Sequence, residues 1–219
     1  MTKRILCFGD SNTWGATPTG QPVYDNYAVR FPSEVRWTGR LQQLLSSDYR
    51  IIEEGHNGRT TVFADQLQMD RNGIEHIDVC LETHEPLDLV VVMLGTNDLK
   101  PRTGISAYNS SIGIGMIIKK ILQNPRARYG ALPKILIISP IEIAENIEEL
   151  SFSNEFGGRI ARTESLKFAA LFEEQARYFG CSFLDAAKVA GPGEDGIHLD
   201  EKGHAALADA VADKIREIL

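Results

Sequence analysis

A serine near one end of this chain and an aspartate–histidine pair near the other have the residue types of nucleophilic catalysis. Ser11 stands in Gly9-Asp10-Ser11-Asn12, directly after the apolar run Ile5-Leu6-Cys7-Phe8. A short apolar strand ending in a glycine-flanked serine holds a hydroxyl at the rim of a sheet, where a substrate can reach it. Towards the other terminus lies Asp195-Gly196-Ile197-His198. A serine hydroxyl alone is a poor nucleophile. It needs an imidazole to take its proton and a carboxylate to orient that imidazole. The spacing therefore points to acyl transfer, with Ser11 as nucleophile, His198 as general base and then acid, and Asp195 as the group that fixes the tautomer and stabilises the imidazolium. A tetrahedral intermediate also needs donors for its oxyanion. The backbone N–H groups of Ser11 and Gly58 and the side-chain amide of Asn97 can supply them, and glycine suits a place where the backbone must approach a substrate closely.

Other residues have weaker claims. Asp10 and Asp98 compete with Asp195 as the acid. Asp10 adjoins the nucleophile and is expected to hold its loop by hydrogen bonds, and Asp98 to cap or brace its own turn. Trp14 is close enough in sequence to Ser11 to touch an acyl group, although packing is an equal alternative. His56 shares a block with Gly58 and is a candidate for lining the pocket, against plain exposure. Arg59 reads as a brace of the oxyanion loop. His76, His84 and His204 are expected on helices or surfaces.

Something must gather these distant residues. Apolar runs recur at Arg4–Phe8, Arg50–Glu53, Leu87–Leu94, Lys134–Ser139 and Ser182–Leu184. The third and fourth lack alternation, as in parallel strands buried on both faces. Helical spacing appears in Trp37, Leu41, Leu44 and Leu45; in Ile114, Ile117, Ile118, Ile121 and Leu122; in Phe168, Leu171, Phe172, Gln175 and Phe179; and in Leu207, Val211, Ile215 and Ile218, with Asp200 placed as an N-cap. A weaker helix is expected over Gly73–Glu82. Strand–helix alternation predicts an α/β fold, a three-layer α/β/α sandwich with a five-stranded parallel sheet, flavodoxin-like in order 2-1-3-4-5, as a single domain over residues 1–219. Right-handed crossovers then bring the loops after the strands to one edge. The blocks at Gly9-Asp10-Ser11, Gly55-His56-Asn57-Gly58-Arg59, Gly95-Thr96-Asn97-Asp98 and Asp195-Gly196-Ile197-His198 meet there. The long irregular stretches Ala16–Val35 and Ile141–Gly157 carry aromatics (Tyr24, Tyr27, Phe31; Phe152, Phe156) and read as lids, binding walls or subunit contacts, or as plain packing.

Composition narrows the alternatives. With 43% hydrophobic and 24% charged residues in 219, the chain is globular. A formal net charge of -7 argues against a nucleic-acid partner. Cys7, Cys80 and Cys181 are odd in number and widely spaced, which suits reduced core residues rather than a metal or disulfide framework. No signal peptide or membrane span is legible, so the expectation is a cytoplasmic protein. Neither a Gly-x-Gly-x-x-Gly fingerprint nor a Walker loop supports the competing reading, a nucleotide-binding module on the same scaffold.

In this order the four blocks resemble those of the SGNH hydrolases, the GDSL-like esterase/lipase family, whose letters fall on Ser11, Gly58, Asn97 and His198. The resemblance spans nearly the whole chain. Arg4 through Ser11, Thr13-Trp14-Gly15, Arg36-Trp37-Thr38-Gly39, Ile52-Glu53-Glu54-Gly55, Arg59-Thr60-Thr61, Leu87-Asp88-Leu89 and Met93 through Asp98 are similar to the bacterial arylesterase/acyltransferase branch. That branch implies hydrolysis of short-chain acyl esters with acyl transfer to alcohols, a small-molecule ester substrate, no cofactor or metal, and homo-oligomers whose loops wall a restricted pocket. Carbohydrate deacetylation, and thioester or lysophospholipid cleavage, are the alternatives. The chain departs from the branch at Ala16, where members carry a second tryptophan, at Gly58, often a small non-glycine residue, and at Ile141-Glu142-Ile143-Ala144-Glu145, in place of a proline-rich stretch. All three fall in expected pocket walls, so they bear on acyl preference and on the balance of water against alcohol.

Overall fold

The computed structural model describes residues 2–19, 29–124 and 132–219. A five-stranded sheet forms its centre, in the order β2-β1-β3-β4-β5. The strands are β1 (Lys3–Gly9), β2 (Tyr49–Gly55), β3 (Leu89–Met93), β4 (Lys134–Ser139) and β5 (Ser182–Asp185), and every pairing is parallel. This is the architecture and strand order expected from the apolar runs.

Side chains alternate across each strand, so the sheet feeds two cores. Leu6, Phe8, Val90, Val92, Ile135 and Ile137 face α3 (Gly73–His84), α4 (Ala107–Gln123) and α7 (Phe168–Phe179). Ile5, Cys7, Leu89, Val91, Leu136 and Ile138 face α2 (Trp37–Leu44) and α8 (Glu201–Ile218). Because both faces are covered, every residue of β3 is buried, which is why its sequence shows no polar alternation.

Leu207, Val211 and Ile215 of α8 pack with Trp37 and Leu41 of α2. Asp200 caps α8 by accepting the Gly203 N–H at 2.7 Å, as its position implied. Leu44 departs from its expected stripe: it is the last residue of α2 and 39% exposed, and Leu45 takes the buried place. Three short helices carried no legible periodicity, being too brief to show one: α1 (Ser11–Trp14), α5 (Ser153–Phe156) and α6 (Arg159–Ser165). The cysteines are free, with Cys7 and Cys80 buried. Tyr24 and Tyr27 lie outside the described residues.

The register positions the site. Gly9 is level with Gly55 of β2 and with Met93 of β3, so the segments leaving these strands start at one height on one rim.

Candidate active site

At the end of β1 the chain turns directly into α1. Asp10 caps that helix, its Oδ1 accepting the Asn12 N–H at 3.0 Å, and Gly15 ends it in the left-handed region at φ +91. Ser11 is thus the first helical residue. Its Oγ lies 3.0 Å from His198 Nε2, and His198 Nδ1 lies 2.6 Å from Asp195 Oδ2. The other Asp195 oxygen accepts the N–H groups of Ile197 at 2.9 Å and His198 at 2.8 Å. Burial alone would raise the Asp195 carboxyl. The hydrogen bond from the imidazole and those two backbone donors outweigh it and hold the group below the usual carboxylate range. An ionised Asp195 accepts from Nδ1–H, which leaves the Nε2 lone pair facing the serine hydroxyl. Phe152 sets its ring edge-on to the imidazole, 5.6 Å between centroids.

One residue of this arrangement had no role assigned from sequence. Asn12 donates from Nδ2 to the Ile197 carbonyl at 3.2 Å and accepts the Leu199 N–H on Oδ1 at 2.8 Å. It grips the backbone on both sides of His198 and ties it to the helix that starts with Ser11. Its partners are distant in sequence, so no local spacing could reveal it.

The oxyanion candidates gather beside this chain. Gly58 sits at φ +76, a conformation that favours glycine. Among the described residues, neither the Ser11 nor the Gly58 N–H has an acceptor. Asn97 donates one amide hydrogen to the Arg59 carbonyl at 3.2 Å, which leaves the second. Arg59 is buried and braces the rim, donating to the carbonyls of Gly9 (2.9 Å) and Glu54 with its guanidinium over the Phe8 ring. Asp98 accepts the Thr61 N–H at 2.8 Å and the hydroxyls of Thr61 and Ser110, each at 2.6 Å. It therefore ties the β3 turn to the β2 loop and α4 and stands outside the serine–histidine chain. Burial pushes Asp98 up to about 6 against those bonds, and Asp10 likewise.

A cavity of about 310 Å³ opens over Ser11, Gly58, Asn97 and His198. Its lining is mixed: Ala16, Phe152, Phe156 and Ile197 are apolar, and His56, Asn57, Gln68, Arg71, Thr96, Lys100 and Glu155 are polar, with Glu155 paired to Lys100. His56 does line it. Its Nε2 accepts from Arg71 Nη1 at 2.8 Å; burial first, then the Arg71 and Arg59 charges, push its pKa down to about 4, so the ring is neutral. Trp14 does not line the cavity. It closes α1 on the β2 side, where Arg30 lies over its ring at 5.1 Å and donates to its carbonyl at 2.6 Å. Of the two roles left open by sequence, packing is the one its surroundings support. His204 is on a helix as expected, yet fully buried, its Nδ1 accepting the Trp37 N–H at 3.2 Å. His76 and His84 lie on α3, and His84 reaches Glu54 at 2.8 Å. Among the described residues no cluster of three or more His, Cys, Asp or Glu could hold a metal ion, and no helix is long and apolar enough to cross a membrane.

A family model described as GDSL-like Lipase/Acylhydrolase matches residues 7–206. The inhibitor-bound aryl esterase of M. smegmatis superposes with a TM-score of 0.91 at 35% identity, covering 100% of both chains. A carbohydrate acetylesterase family member from Sinorhizobium meliloti does so with a TM-score of 0.89 at 36% identity, over 100% of this chain and 99% of the other. An acetylxylan esterase of Xylanibacter ruminicola is 24% identical over 97% of this chain, which spans only 43% of that relative.

Proposed function

The chain belongs to the GDSL-like lipase/acylhydrolase family, a family of ester hydrolases, and from that premise we propose that it is a serine esterase cleaving small, short-chain carboxylic esters through an acyl-enzyme. Ser11 Oγ bonds to the acyl carbon as its proton passes to His198 Nε2, and the carbonyl electrons move onto oxygen. The Ser11 and Gly58 N–H groups and the free Asn97 amide hydrogen receive that oxyanion. The intermediate collapses, the bond to the alcohol oxygen breaks, and His198 returns the proton to the leaving alcohol. Water, or a second alcohol, then attacks the acyl-enzyme with His198 again taking its proton; the second intermediate collapses, the bond from Ser11 Oγ to the acyl carbon breaks, and His198 returns the proton to Ser11 Oγ. Asp195 holds the imidazole in register and balances its positive charge at both steps.

The observation that carries this reading is the continuous Ser11–His198–Asp195 chain, 3.0 and 2.6 Å, opening on a cavity. A volume of about 310 Å³ lies at the small end of ligand pockets, roughly 300–1,000 Å³, which suits acetyl and butyryl esters better than long acyl chains. The polar part of the lining also supports acetylated sugars, whose hydroxyls could pair with Asn57 and Gln68. The test is a rate series on acetyl, butyryl and octanoyl aryl esters beside an acetylated sugar, with fluorophosphonate labelling. Ser11 should carry the label, and Ser11→Ala should lose both the label and a factor of about 10⁶ in kcat. Labelling elsewhere, with hydrolysis intact in the alanine variant, would reverse the assignment.

A further inference from the structure

We propose that Arg71 is a specificity residue that selects esters bearing a carboxylate a few bonds from the scissile carbonyl. This deepens the esterase reading and rests on it. Two cations line the cavity, Arg71 and Lys100, and they differ. Lys100 is balanced inside the protein, its Nζ lying 3.2 Å from Glu155 and 3.8 Å from Asp65. Among the described residues, Arg71 has no carboxylate within ion-pair distance. Its side-chain hydrogen bonds are made by Nη1, to His56 Nε2 at 2.8 Å and, at the limit, to the Asp70 carbonyl at 3.5 Å.

The rest of the guanidinium is unmet. Nε is buried with no acceptor, and Nη2 has none among the described residues. Nε is closed off from any water-sized group, so Nη2 is the nitrogen that can meet a carboxylate oxygen. The neutral His56 accepts on the opposite side and so sets the plane of the fork. A guanidinium with no carboxylate partner among the described residues, in the lining of a cavity, is placed to bind an incoming anion. In a chain of net charge -7, one unbalanced cation beside the reaction centre also draws anions locally.

Its place limits the length of the ligand. A Cβ built on Gly58 would come 3.4 Å from Arg71 Cδ and 2.5 Å from Gln68 Oε1, so the Arg71 stem lies against the loop that offers the oxyanion N–H. A carboxylate on the guanidinium is therefore separated from the ester carbonyl by a short spacer, as in half-esters of small dicarboxylic acids or acyl esters of small hydroxy acids.

The experiment compares charged and neutral esters of matched size. Benzyl hydrogen glutarate against benzyl valerate places the carboxylate in the acyl group; 4-acetoxybenzoate against its methyl ester places it in the leaving group. In at least one pair the charged-to-neutral ratio of kcat/KM should fall about tenfold in Arg71→Met, mainly through KM, the size expected for one charge-assisted hydrogen bond. Arg71→Lys should recover part of it, and added salt should lower the parent ratio. Ratios within about twofold of the parent protein in both pairs, with the variant folded by thermal melt, would overturn the proposal. Absence of hydrolysis of all four esters by the parent protein would instead overturn the esterase reading itself.

Discussion

The two walls of the cavity are built on opposite rules. In the Ser11–His198–Asp195 chain and its Asn12 brace, the side-chain polar groups find their partners within the protein. Asp195 receives an imidazole and two backbone N–H groups, His198 uses both ring nitrogens, and the Asn12 amide is spent at both ends. Elsewhere in the lining, the Arg71 charge has no carboxylate partner among the described residues, and its Nη2 makes no hydrogen bond there. Buried polar groups are normally satisfied, so the difference has meaning. Groups that move a proton must be held before the substrate arrives, since preorganisation is what makes them effective. Groups that recognise a substrate can be left for it to complete. The proton-moving wall is finished in its side chains, while the oxyanion donors and Arg71 wait for a ligand.

That contrast can be broken by experiment. Asp195→Asn should have the largest effect in the finished wall: an amide cannot enforce the Nδ1–H tautomer or balance the imidazolium, and kcat should fall by about 10⁴. A fall of less than tenfold would mean that the wall does not act through this carboxylate. Asn12→Ala should be milder. It removes both bonds that hold residues 197–199 against α1, and a base displaced by a fraction of an ångström costs roughly 10–10² in kcat. KM should stay near that of the parent, because Asn12 touches no substrate. A rise in KM with kcat preserved would move Asn12 out of the positioning role.

The same contrast explains what could be read from the chain. The finished wall was legible because its residues follow strands whose apolar runs are unambiguous, and parallel topology dictates that such loops share a rim. Ile5 through Phe8, Leu89 through Met93 and Ile135 through Ile138 are buried on both faces, and that burial points to parallel strands, while their order rests on the fold as a whole. Asn12 escaped because its partners, Ile197 and Leu199, lie near the other end of the sequence. Nearness to Ser11 left Trp14 open between pocket and packing, and its ring lies under Arg30. Arg71 and Gln68 were invisible for a different reason: the loop that bears them has no periodicity, and a missing partner leaves no trace in sequence.

The smallest effect concerns the unfinished wall alone. His56 must be neutral to accept from Arg71, and burial with two nearby guanidinium groups pushes it from the usual 6.5 to about 4. His204, buried under α2, shifts to about 4 as well. Both are depressed in the folded state, so between about 4 and 6.5 the unfolded chain binds more protons and stability rises with pH. Asp10 and Asp98 oppose this between 3.8 and about 6, where the folded state holds the extra proton. A comparison of proteins therefore isolates one group better than a single profile does. In His56→Gln, whose amide oxygen can take the place of Nε2, the slope of unfolding free energy against pH should change by close to one proton over that window, measured from urea midpoints, while the curves converge above pH 7 apart from a constant offset. Parallel curves throughout would show His56 charged in both states, and a charged imidazole could not be the acceptor that orients Arg71.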